Sequence, residues 1–136
     1  MSKLLRTISS LAVVALAGLT PVASFAAAAG ASLGTYQTTD RKMDFALALC
    51  GNSGKELCVT LAAARGSADV PQTHPFIGKF VVDHAKPAGN NVWKGSMTVQ
   101  GNTMNGTLTL NPGKNFIMHG CAYLVICNDF TLIPAQ

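Results

Sequence analysis

From about residue 33 onward, apolar and polar side chains alternate one for one over most of the chain. In MDFALALC, Met43, Phe45, Leu47 and Leu49 fall on one face and Asp44, Ala46 and Ala48 on the other. WKGSMTVQ sets Trp93, Met97 and Val99 against Lys94, Ser96 and Thr98, and TMNGTLTL sets Met104, Leu108 and Leu110 against Asn105, Thr107 and Thr109. NFIMHG places Phe116 and Met118 opposite Ile117 and His119. A period of two with one apolar face describes strands half-buried against a core.

Short Gly/Asn/Pro connections separate these runs. QGNT (100–103) and NPGK (111–114) suit hairpin turns, AKPAGNN (85–91) reads as a longer loop, and RGSADVPQTHP (65–75), with two prolines, is the longest. The pattern predicts strands near 33–38, 42–50, 56–64, 76–83, 92–100, 103–111, 114–120 and 128–133. VTLAAA (59–64) is ambiguous, because Leu and Ala also favour helix. About eight strands joined mostly in sequence predict an all-β fold, a small antiparallel up-and-down β-barrel in which closure removes the sheet edges. Eight strands enclose just enough room for side chains or for one small ligand.

The first residues change the picture of where this barrel resides. MSKLLR carries Lys3 and Arg6 with no acid nearby, and TISSLAVVALAGLTPVASFA is an apolar run ending in small residues. That is the grammar of a secretory signal peptide, residues 1–26, with cleavage after Ala26 or Ala28. The run is shorter than the roughly 20 residues a membrane-spanning helix needs. The expectation is a periplasmic or secreted protein, residues 27–136 forming a single domain, with no transmembrane segment after cleavage.

The whole chain has a formal charge of +4, from ten Lys and Arg against six Asp and Glu. Lys3 and Arg6 leave with the signal, so eight bases face six acids in the mature part. The bases are scattered singly apart from Arg41-Lys42, and no stripe that would track phosphates is present, which argues against nucleic acid as a partner.

Four cysteines in an oxidising compartment imply two disulfides. Cys50 and Cys58 flank a Gly-rich turn between two predicted strands, which pairs them as directly opposed residues. Cys121 then pairs with Cys127, and cross-pairing between the two loops is the alternative. A redox pair is ordinarily Cys-x-x-Cys at a helix N-terminus, and zinc sites favour similarly close spacing. Seven and five intervening residues among strands point instead to structural staples. His74, His84 and His119 do not converge in sequence, so no metal or cofactor is expected. The acids Asp40, Asp44, Glu56, Asp69, Asp83 and Asp129 lie mostly at strand ends or turns. Ser53 has no nearby histidine, and no nucleophile elbow occurs, so no catalytic residue is expected.

The order of motifs resembles a family of exported bacterial proteins catalogued as domain of unknown function 2147. The resemblance runs over roughly residues 33–133 and rests on LGTYQTTD, Cys50-Gly51, Leu57-Cys58, VWKGSM, Gly120-Cys121 and Cys127. It implies a small lipocalin-like barrel and an exported address, and no established activity. Tyr36 stands where the family has its opening Trp, and Phe130 and Leu132 stand where Trp and Arg are expected. The resemblance therefore implies an aromatic plug of Tyr36 and Phe130 without a cation–π partner.

Two binding roles follow from the apolar faces and the turns. Met43, Phe45, Phe76, Phe80, Trp93, Met97, Met104, Phe116 and Met118 line the predicted interior. Phe45, Trp93, Met97, Met104, Phe116 and Met118 are the candidate lining for a small hydrophobic ligand, if they do not simply fill the core. Alternatively, Asn52, Ser53 and Lys55, held on a disulfide-closed hairpin, would present a pre-organised loop to an envelope protein or to the cleft of an enzyme. Ser53-Gly54 is similar to a loop of lysozyme inhibitors, which implies a glycosidase cleft with paired carboxylates as one such target.

Overall fold

The alternating segments become eight strands in a computed structural model that describes residues 30–99, 101–123 and 126–136. They are β1 (Ser32–Thr38), β2 (Met43–Cys50), β3 (Glu56–Ala64), β4 (Phe80–Gly89), β5 (Val92–Val99), β6 (Asn102–Asn111), β7 (Asn115–Ala122) and β8 (Ile126–Pro134). Each pairs antiparallel with the next, and β8 returns to β1 through Tyr36↔Pro134, Gln37↔Ile133 and Thr38↔Leu132, closing the barrel. The expected up-and-down topology is therefore found. The predicted signal peptide lies outside the described residues. No helix among the described residues is long and apolar enough to cross a membrane.

One strand departs from expectation. β4 was predicted at 76–83, but His74-Pro75-Phe76 forms a short 3-10 turn and Gly78 adopts a positive φ of 82°, so the strand starts late. It then continues through AKPAG, which reads as a loop. Beyond the Leu57↔Ala85 pair, β4 is bonded only to β5, through Lys86↔Lys94, Pro87↔Trp93 and Gly89↔Val92. Locally it is an edge, where a proline is tolerated. The ambiguous VTLAAA is strand: β2 and β4 flank it, and burial of Val59 and Leu61 outweighs a weak helical preference.

The alternating faces sort as predicted. Leu47, Leu57, Val59, Val82, Met97, Leu108, Phe116 and Leu132 are almost completely buried inside, whereas Lys94, Ser96, Asn105 and His119 face out and are exposed. Phe80 is the exception among the predicted interior residues. It is 53% exposed, edge-on to the His84 ring at 6.4 Å. It pairs with Thr60, and the register shift between that pair and Val59↔Val82 turns it to the outer face.

Closure depends on small residues at inward positions. Gly95, Gly106 and Gly120 stand in register across β5, β6 and β7. A Cβ on Gly106 would lie 1.8 Å from the His119 carbonyl oxygen, and one on Gly95 would lie 2.9 Å from the Ala85 Cβ. Strands this close leave no volume for a side chain, and the space above Gly120 is taken by Met97, whose sulfur would be 3.2 Å from an added Cβ. Glycine in a strand interior commonly marks such a bend or close backbone approach.

Both disulfides form as paired, Cys50–Cys58 and Cys121–Cys127. Their geometries differ from one another and, in the first case, from expectation. Cys50 is opposite Glu56 and Cys58 is opposite Ala48, so this bridge runs diagonally across the β2–β3 ladder with Cα atoms 5.9 Å apart. Cys121 and Cys127 are directly opposed on β7 and β8.

Because the obstruction at Gly106 is backbone and cannot rotate away, Gly106→Ala is expected to destabilise the protein by about 3 kcal/mol or more. Urea unfolding followed by circular dichroism measures this; a loss below about 1 kcal/mol would show that the ladder relaxes around the methyl group.

Candidate functional site

The 65–79 connection lies over one end of the barrel and is fastened at both of its own ends. At its start, the Arg65 amide donates to the Lys42 carbonyl at 2.7 Å. The Arg65 guanidinium donates to both Asp44 carboxylate oxygens at 2.7 Å and to the Arg41 carbonyl at 3.0 Å. Lys42 Nζ adds a 2.6 Å bond to Ser67 Oγ. At its finish, the Gly78 amide donates to Leu61 O at 2.7 Å and the Leu61 amide to Lys79 O at 3.1 Å. Between these ties run two short 3-10 turns, Gly66–Ala68 and His74–Phe76.

Under this strap is a cavity of about 90 Å³. Phe45, Leu61, Met97, Met118, Phe130 and Leu132 contribute barrel wall, and Thr73 and Phe76 reach it from the strap. Met43, Val81 and Val99 complete an almost wholly apolar surface, with Thr38 at the rim. The Thr38 hydroxyl is already engaged, donating to Asp40 Oδ1 and accepting from the Lys42 and Met43 amides. The cavity therefore offers dispersion contacts and few free polar groups.

Of the six residues expected to line a ligand site, the structure brings Phe45, Met97 and Met118 together here. Met104 instead borders an open groove at the rim, with Ala122 and Tyr123. Trp93 and Phe116 correct the expectation, since each lies near the opposite end of its strand from the strap and belongs to the packed floor. The Trp93 indole Nε1–H donates to the Lys55 carbonyl at 2.9 Å, and the Phe116 ring meets Tyr36 at 6.3 Å. The plug implied for Tyr36 is thus made with Phe116. Phe130 is paired with Met118, two positions away from the Phe116↔Leu132 pair, and reaches the cavity. Nothing in the sequence pattern places Thr73 and Phe76 over the barrel.

The 51–55 turn keeps Asn52, Ser53 and Lys55 exposed on a fixed base. Besides Cys50–Cys58 and the Trp93 bond, Gly54 N donates to Gly51 O at 3.1 Å, and Glu56 is ion-paired with Lys86. The histidines, separate in sequence, are gathered by the strands. His84 lies with Cys50 and Cys58, and His119 with Cys121 and Cys127, the ligand atoms of each group falling within 4.8 Å of one another. In both groups the sulfurs are joined to each other, and each histidine ring is paired with an acid, Asp83 or Asp129. His74 pairs with Asp69 on the strap.

No protein-family model, curated protein or solved structure matches the chain.

The Arg65 guanidinium beside Asp44 holds that carboxyl below the usual carboxylate range, with burial acting in the opposite direction. A carboxyl whose pKa is lower in the folded state stabilises the protein above its unfolded value, about 3.9, and loses that contribution as pH falls through the folded value. Asp44→Asn is therefore expected to lower the melting temperature at pH 7 and to flatten its decline below about pH 4. A melting series from pH 2 to 7 checks this; parallel curves for the two proteins would remove Asp44 from the acid transition.

Proposed function

We propose that this protein is an exported binding barrel that takes a small apolar molecule, or the apolar end of a larger one, into the cavity beneath the 65–79 strap. The cavity itself carries the reading. At about 24 cal/mol per Å³, a void of about 90 Å³ corresponds to roughly 2 kcal/mol of forgone packing. That is a sizeable share of a total stability of about 5–15 kcal/mol, and filling the gap with a ligand recovers dispersion contacts. The size limits the ligand: benzene binds a cavity of about 150 Å³, so about 90 Å³ suits a xenon-sized probe or a short alkyl group, and a longer chain inserts only its tip. Two disulfides are consistent with an oxidising compartment, and the signal-like N-terminus supports export. Membership of the family catalogued as domain of unknown function 2147 belongs to this proposal and rests on the sequence motifs around the four cysteines.

Xenon under pressure is expected to raise the melting temperature of the wild-type protein, and Val99→Phe, which fills the cavity, is expected to abolish the shift while leaving the fold intact. No shift in the wild type, or an equal shift in a folded Val99→Phe protein, defeats the reading.

A second role, in contact with another envelope protein, is favoured by one observation: Trp93 and the Cys50–Cys58 bridge hold the exposed Asn52–Lys55 turn from two sides. Lys55→Ala is expected to remove a partner recovered by crosslinking in the native envelope, and an unchanged crosslink pattern rejects this role.

A further inference from the structure

Cys50–Cys58 and Cys121–Cys127 look equivalent as sequence, each closing a short hairpin, but they meet solvent differently. Cys50 and Cys58 are 7% and 4% exposed. Cys127 is exposed, Cys121 is half-buried, and both lie on the outer face of the β7–β8 ladder. The next outward cross-strand pair on the same ladder is His119 opposite Asp129. The Asp129 carboxylate holds His119 Nδ1, and His119 Nε2 lies 3.8 Å from Cys121 Sγ. Two adjacent rungs thus place an accessible disulfide, a histidine and an orienting carboxylate in one line, with the free ring nitrogen directed at one particular sulfur.

From this arrangement we propose that Cys121–Cys127 is a thiol–disulfide exchange site whose substrate is a free thiol, with His119 as the proton donor to the departing sulfur and Asp129 as its positioning residue. The incoming thiolate attacks Cys127 Sγ along the S–S axis. A new S–S bond forms between that thiol and Cys127, and the electron pair of the old bond passes to Cys121 Sγ. His119 Nε2–H, in the imidazolium form, transfers its proton to the Cys121 thiolate, and the ring regains a proton from solvent, where the incoming thiol released one. A second thiol then removes the first from Cys127, leaving the dithiol protein and a small-molecule disulfide; the reverse sequence passes the protein's disulfide to a substrate dithiol. Exchange rates rise when the leaving sulfur is stabilised and when the attacked sulfur is accessible. Both conditions are met at Cys121–Cys127.

Cys50–Cys58 is the built-in control. His84 and Asp83 stand beside it in a similar constellation, but both of its cysteines are buried.

The test is timed reduction of the intact protein by glutathione, quenched by alkylation and mapped by peptide mass spectrometry, with a reduced thioredoxin-type dithiol protein in a parallel arm. Cys121–Cys127 is expected to open at least about tenfold faster than Cys50–Cys58, with the glutathione adduct on Cys127. His119→Gln is expected to slow that opening about a hundredfold, the lower end of the range for a positioned proton donor, and added imidazole is expected to restore part of the rate. Asp129→Asn is expected to slow it as well, and Asp129→Glu to recover it. Opening by glutathione assigns small thiols as substrates, and opening by the protein dithiol alone assigns a protein partner. Equal opening of the two disulfides, an adduct on Cys121, or a His119→Gln rate equal to the wild type overturns the proposal.

Discussion

Closing eight strands into a barrel this small is the constraint on which the rest of the structure depends. The interior is filled by side chains from all eight strands, so inward positions are contested. Gly95, Gly106 and Gly120 yield that space where β5, β6 and β7 bend most closely, and Met97 and Met104 occupy what the glycines leave. The floor is then completed by rings, Tyr36 against Phe116 and Trp93 beneath the 51–55 turn. Packing to that density at one end is what confines the unfilled volume to the other.

The two ends consequently do different things. At the floor, the Trp93 indole needs a partner once buried, and the Lys55 carbonyl supplies it, so that core and surface loop are ordered by one hydrogen bond. At the strap end, the polar ties are on the outside and the apolar surface is within. The bidentate Arg65–Asp44 pair, the Lys42–Ser67 bond and the Leu61–Gly78/Lys79 exchange hold the connection in place without filling the space under it. A charged clamp of this kind has directional geometry that a hydrophobic contact lacks. It can position Thr73 and Phe76 over the barrel and still leave a gap.

The disulfides show how position in the ladder changes the meaning of the same residue pair. A diagonal bridge covered by its surroundings restrains the unfolded chain by about 2–3 kcal/mol on the loop-entropy view and has little chemistry available to it. A directly opposed bridge on the outer face, with a histidine one rung away, is open to attack and has a proton donor at hand. Spacing in sequence distinguishes neither case. The decisive fact is how far each pair is covered, since both bridges lie on the outer face with a histidine and an acid beside them.

The sequence by itself determined most of the strands, their order and most inward and outward faces, and it favoured the cysteine pairing that forms over cross-pairing, because alternation, turn residues and short loops are local signals. It also placed Phe45, Met97 and Met118 in the interior. It missed the continuation of β4 through Pro87, since that depends on β3 beginning only at Glu56 and leaving an edge. It could not tell Trp93 and Phe116 of the floor from Met97 and Met118 of the cavity, because strand stagger around a closed barrel sets the height of each residue. The strap over the opening, and the union of His84 with the Cys50–Cys58 bridge, join residues far apart in the chain. Only tertiary structure decided these, because register and closure bring together side chains that no local pattern relates.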